Sequence, residues 1–153
     1  MSQPLLINPQ KGSKLMEVVK HLSQAKIDRF GSVSGGVGAI HLDSEFGRKT
    51  RFQSTLAHGY LILGYISEMM KNNFGKPWFL SGSMETKLVG PAKPGDTIVV
   101  GGHVSEMIHE SDKTVITCEI WVDNHLGSKV AVGHAVLLME RKSPTKLESG
   151  EDV

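Results

Sequence analysis

Two stretches of the first half of the chain carry side chains suited to proton chemistry. In Leu56-Ala-His58-Gly59-Tyr60 a histidine and a glycine open a long apolar run. If that run is helical, its first backbone N–H groups lack intrahelical partners and sit at the positive end of the dipole. Such a place stabilises an anion or a developing oxyanion, and glycine lets a ligand approach the backbone closely. The plainer role for Gly59 is close packing, and for His58 a hydrogen bond to a loop. The second stretch is Gly31-Ser-Val-Ser34-Gly35-Gly36-Val37-Gly38-Ala39-Ile40-His41-Leu42-Asp43. Its spacing matches neither G-x-G-x-x-G nor G-x-x-x-x-G-K-S/T, which argues against a nucleotide-cradling loop. His41 is its useful residue, because imidazole gives and takes protons near neutral pH. Elsewhere the signals are weak. The seven histidines show no metal-ligand spacing, and no G-x-S-x-G elbow offers a serine nucleophile. Cys118 reads as a small buried hydrophobe, and no cofactor is implied.

These residues need elements to hold them. Leu56 to Asn72 has helical length and is apolar nearly all round, which predicts a helix buried on most sides. Asp43 and Ser44 are N-cap candidates for a short helix through Arg48, and Ser23 for another over Gln24 to Phe30. The second half is strand-like. Trp78 to Val89, Asp96 to Glu110, Lys113 to Asp123 and Ser128 to Glu140 form four candidates in antiparallel succession. The third alternates with period two, and the fourth is apolar enough to be buried on both faces. Pro91-Ala-Lys-Pro94-Gly95-Asp96 and Asn124-His-Leu-Gly127 supply turns. Lys14 to Leu22 fits either a helix or a strand. One buried helix with a run of antiparallel strands predicts an α+β fold.

Composition sets the bounds. The 153 residues suit one domain, with 39% hydrophobic and 22% charged residues. Seventeen Lys+Arg against sixteen Asp+Glu leave a net charge of +1, which gives no global field for nucleic acid or an anionic membrane. One cysteine cannot close an intrachain disulfide, and with an opening MSQPLLINPQ unlike a signal peptide it points to the cytoplasm. The polar stretch 141–153 reads as a mobile tail, residues 1–13 as a lead, and 14–140 as the domain.

The two candidate stretches together resemble the MaoC-like hydratases and dehydratases of hotdog fold. That family's motif runs S-G-D-x-N-P-I/L-H-x-D, then a helix, then G-F-x-x-P-I-x-H-G. Here the chain reads Ser34-Gly-Gly-Val-Gly-Ala-Ile-His41-Leu-Asp43 and, without a gap, continues to His58-Gly59. Lys87-Leu-Val-Gly-Pro-Ala-Lys-Pro94-Gly95-Asp96 resembles the family's P-G-D segment. The resemblance implies an antiparallel sheet wrapped round one helix, with Lys14 to Leu22 as its first strand. It further implies a homodimer or higher homo-oligomer, or pairing with another hotdog subunit, and an acyl-CoA or acyl-carrier thioester as substrate. His41, Gly59 and Ser67 are its implied catalytic positions, and Gly36, Gly38, Ile40, Phe52, His58 and Tyr60 its substrate-binding ones. The family's aspartate falls on Gly36, which has no proton acceptor. Three functions stay open: an atypical hydratase or dehydratase, a non-catalytic thioester-binding subunit, and a thioesterase. Asp43 and Glu45 are the nearby carboxylates that could serve instead, and Arg48-Lys49-Thr50-Arg51 is a basic patch suited to coenzyme A phosphates.

Overall fold

The computed structural model describes residues 6–141. Within them the chain runs β1 (Val18–His21), α1 (Gln24–Ser34), α2 (Ala39–Leu42), α3 (Ser44–Arg48) and α4 (Gly59–Phe74). It continues through α5 (Lys76–Ser81), β2 (Ser83–Leu88), β3 (Thr97–His109), β4 (Lys113–Asn124) and β5 (Lys129–Glu140). Five strands form one antiparallel sheet in the order β1-β3-β4-β5-β2. Helix α4 lies against it, so the architecture is the α+β hotdog layout. The expected tail, apart from Arg141, and the first five residues of the lead lie outside the described residues.

Local chemistry explains most element boundaries. The Ser23 hydroxyl accepts the Lys26 N–H and starts α1, while Asp43 Oδ1 accepts the N–H groups of Glu45 and Phe46 and starts α3. Helix α4 ends at Gly75, whose φ of 67° suits glycine far better than a residue with a Cβ. In β4 the alternation holds: Thr114, Ile116, Cys118, Ile120 and Val122 are buried, and their neighbours face outward. At the β4–β5 hairpin, Asn124 Oδ1 accepts from the Leu126 and Ser128 N–H groups.

Four expectations need correction. Trp78 to Ser81 is helical rather than strand; Pro77 suits the first turn of a helix, and the bare Gly82 lets the Trp78 ring lie against its backbone. The strands β2 and β3 are not neighbours. Antiparallel to β5 (Leu88↔Ala131), β2 closes the far side of the sheet, so Pro91–Asp96 spans the fold instead of turning a hairpin. The outer face of β5 is partly open, with His134 and Leu138 exposed. Helix α4 is likewise buried on one side only, through Ile62, Ile66, Met69, Met70 and Phe74, while Tyr60 is 79% exposed. A single sheet covers a single side of a helix.

The polar Asn73 in this core is satisfied. Its Nδ2 donates to the Met69 and Met16 carbonyls and its Oδ1 accepts the Met16 N–H, which ties the segment before β1 to α4. Among the described residues no helix is long and apolar enough to cross a membrane.

Two measurements check this core. Ile66 is fully buried, so Ile66→Ala should cost about 2–5 kcal/mol in urea unfolding. Burial pushes the Cys118 thiol up to about 12. The native protein should therefore resist a thiol reagent at pH 8 until it unfolds. Since the unfolded thiol ionises first, Cys118 lowers stability only as pH climbs from its ordinary value towards 12.

Candidate active site

Residues 55–57 form a strap ahead of α4 that is tied on several sides. The Leu56 N–H donates to the Ile40 carbonyl at 3.0 Å, and the Leu56 carbonyl accepts His41 Nδ1–H at 2.8 Å. The Ala57 N–H donates to the Ala92 carbonyl at 2.7 Å, which brings in the segment between β2 and β3. From α1, Gln24 Nε2 donates to the His41 carbonyl at 2.8 Å, while its Oε1 accepts a hydrogen bond from the Thr55 hydroxyl. Helix α3 packs directly on the strap through Gly47, where any Cβ would lie 2.6 Å from the Thr55 nitrogen. With Nδ1 donating to Leu56, the neutral His41 ring keeps Nε2 as its bare nitrogen, able to take a proton.

Behind His41 lies a second imidazole. His58 Nε2–H donates to the Gly36 carbonyl at 2.6 Å, and the ring stacks on His41 with centroids 3.9 Å apart and planes 23° from parallel. Phe30 packs on it at 5.1 Å. A Cβ on Gly36 would stand 2.8–2.9 Å from this ring, so the ring fills the space that a side chain at 36 would need.

A cleft of about 370 Å³ opens in front of these groups. His41, Phe52 and Gly59 face it from one side, and Leu88 through Ala92 with Val130 from the other. Gly59 is the first residue of α4, so its N–H has no partner inside the helix. Arg51 also lines the cleft, its guanidinium carbon 4.7 Å from the Phe52 ring centroid, and Lys93 Nζ donates to the Phe52 carbonyl. No carboxylate lines the cleft among the described residues. An imidazole with one ring nitrogen free, a helix-start N–H without a partner inside its helix, and apolar walls thus meet in one place, an arrangement fit for chemistry on a carbonyl compound.

The profile of the MaoC like domain matches residues 8–124. The chain belongs to the MaoC-like family. It is 26% identical over 129 residues to the 3-hydroxybutyryl-CoA dehydratase of Methylorubrum extorquens, covering 84% of this chain and 80% of that protein. It is 23% identical over 131 residues to the (R)-specific enoyl-CoA hydratase of Rhodospirillum rubrum, covering 84% and 88%. The fold matches the (R)-hydratase from A. caviae involved in PHA biosynthesis with a TM-score of 0.75, at 20% identity over 85% of this chain and 96% of that one.

In this MaoC-like chain the positions implied by resemblance fall into three groups. His41, Gly59 and Phe52 line the cleft. Gly36, Gly38, Ile40 and His58 stand behind it: Gly36 and Ile40 through their carbonyls, His58 through its stacked ring, and Gly38 at the N-cap of α2. Tyr60 and Ser67 lie elsewhere. Tyr60 points to solvent, and Ser67, two turns along α4, accepts the Trp78 indole N–H at 2.9 Å. The alternative carboxylates are occupied, Asp43 as the α3 cap and Glu45 beside Lys49 at 3.6 Å. Gln24 and the Leu88–Ala92 wall were not foreseen. Gln24 acts through a backbone carbonyl, which no motif encodes, and the wall is assembled by the β2–β5 pairing.

Because the His58 ring fills the space beside Gly36, Gly36→Asp should overpack the site. A loss of about 1–3 kcal/mol in chemical denaturation is expected, and unchanged stability would contradict this packing.

Proposed function

We propose that this protein is a hydratase or dehydratase acting on an acyl-CoA or acyl-carrier thioester with a 2,3 double bond or a 3-hydroxyl group. The observation that carries the reading is the meeting of His41 and the Gly59 N–H at one apolar cleft. In the hydration direction, His41 Nε2 takes a proton from water as its oxygen bonds to C3. The double-bond electrons move towards the thioester carbonyl, whose oxygen gains charge opposite the Gly59 N–H and the start of the α4 dipole. The imidazolium then returns a proton to C2. Water is added overall and His41 is restored. Dehydration is the same path reversed. Phe52, Ile62, Leu88, Val89 and Val130 suit an acyl chain, and Arg51 at the cleft suits the carrier's phosphates.

A homodimer fits the exposure of apolar groups here. Leu88 and Val89 line the cleft yet are about half exposed at 51% and 46%, a rim suited to cover by a second subunit. One observation favours a second reading, a thioester-binding subunit paired with an active hotdog partner: among the described residues no carboxylate stands at the cleft to share the proton work. A cytoplasmic setting suits the buried free thiol of Cys118.

The test is loss of conjugated-thioester absorbance when the purified protein meets short and medium 2-enoyl-CoA. Turnover is expected, and His41→Gln should lower kcat by roughly 10²–10⁴-fold. Proline is tolerated at the first helical position, so Gly59→Pro with Leu88→Ala to make room removes the donor and keeps α4. That pair should lower kcat by roughly 10²–10³-fold. No turnover in either direction rejects the hydratase reading. Activity that appears only with a partner subunit supports the second reading, and release of free thiol would assign a thioesterase.

A further inference from the structure

His58 lines no part of the cleft and is only 5% exposed, yet it lies face to face with the histidine that does. Its surroundings leave the ring one place to be. Phe30 packs against it, and both Gly31 and Gly36 border it without side chains; a Cβ at Gly31 would stand 3.4 Å from Cε1, and one at Gly36 closer still. This packing and the 2.6 Å hydrogen bond from Nε2–H to the Gly36 carbonyl together fix its rotation, and the bond sets its tautomer. Nδ1 is buried without a partner, so this nitrogen is no part of the hydrogen-bond framework that holds the ring.

His41 also has one ring hydrogen bond, from Nδ1 to the Leu56 carbonyl, but it borders the cleft, and Phe30, Gly31 and Gly36 confine His58 instead. That one bond alone leaves the His41 imidazole free to swing about its axis. What stops the swing is the flat face of His58 at 3.9 Å. We infer that His58 is the positioning residue of the proton-transfer site. Held by the Gly36 carbonyl in the space a side chain at 36 would take, it sets the plane of His41 and so the direction of the bare Nε2. The glycine is then a requirement of the second histidine as well as the loss of a carboxylate. The catalytic consequence rests on the hydratase reading, but the geometric one does not.

The test uses His58→Ala, which removes the stack, His58→Phe, which keeps a flat ring without the donor, and Gly36→Ala, which crowds His58 and touches neither imidazole chemically. Two readouts are taken on the whole protein: the nitrogen shifts of the His41 ring, and kcat and KM for 2-enoyl-CoA. The wild type should show His41 as the Nδ1–H tautomer. His58→Ala and Gly36→Ala should shift it towards a tautomer mixture and lower kcat by roughly 10- to 100-fold, the size expected for a misplaced group. KM should hardly change, because His58 does not touch the cleft, and His58→Phe should recover part of kcat. An unchanged His41 tautomer with unchanged kcat in the alanine variants would overturn the inference. Equal loss in His58→Phe and His58→Ala would also overturn it, since stacking would then not matter. If His58→Ala does not fold, Gly36→Ala and His58→Phe carry the same comparison. A wild type inactive on 2-enoyl-CoA rejects the hydratase reading alone, and the nitrogen shifts still decide the positioning role.

Discussion

The Leu56 peptide is the point on which the site depends. Its N–H holds α2 through Ile40, its carbonyl holds the His41 ring, and the next residue but two begins α4. A neutral hydrogen bond of this kind contributes only about 0.5–1.5 kcal/mol net. Its importance is geometric. It makes the distance between an imidazole and a helix start a property of one short length of backbone. Gln24, Ala92 and Gly47 then fix that backbone from three directions, Ala92 through its carbonyl and Gln24 through its side-chain amide.

The cleft divides its work by polarity. One side carries the few polar groups, and the other is backbone and aliphatic side chains from the end of β2, the segment after it and β5. Low polarity strengthens the field of a helix start on a developing charge, since little water competes for it. The absence of a carboxylate from the cleft, among the described residues, goes with the same packing. An acid beside Gly36 would have to displace a ring that is already bonded and stacked, so the two arrangements exclude each other.

What could be read from the residues follows how local each feature is. The caps at Ser23 and Asp43, the alternation of β4 and the Asn124–Gly127 turn depend on neighbours a few positions apart, and all are present, while the helix expected over Leu56 to Asn72 runs from Gly59 to Phe74. Strand order depends on residues far apart and leaves no local period, so β2 beside β5 was not legible. Trp78 and Phe79 favour strands by type, and a proline and a glycine in context overrode them. In the site, the gapless spacing from His41 to His58-Gly59 and the chemistry of those residue types were legible. The second histidine's stacking was not, because the ring is placed by a carbonyl, and the positions of Ser67 against Trp78 and of Tyr60 in solvent depend on the packing of α4.

The strand order carries a temporal consequence. Val18 must find Val100, and Leu88 must find Ala131, before the sheet is whole. Closing such long loops slows folding far more than it lowers final stability. The apolar wall of the cleft leans on these late pairings, with Leu88 and Val130 on the β2–β5 seam and Ala92 on the segment that spans the sheet. During synthesis His41 and Gly59 leave the ribosome well before the wall that faces them can form. The imidazole and the helix start are made early, and the cleft they share is completed only when the last strand arrives.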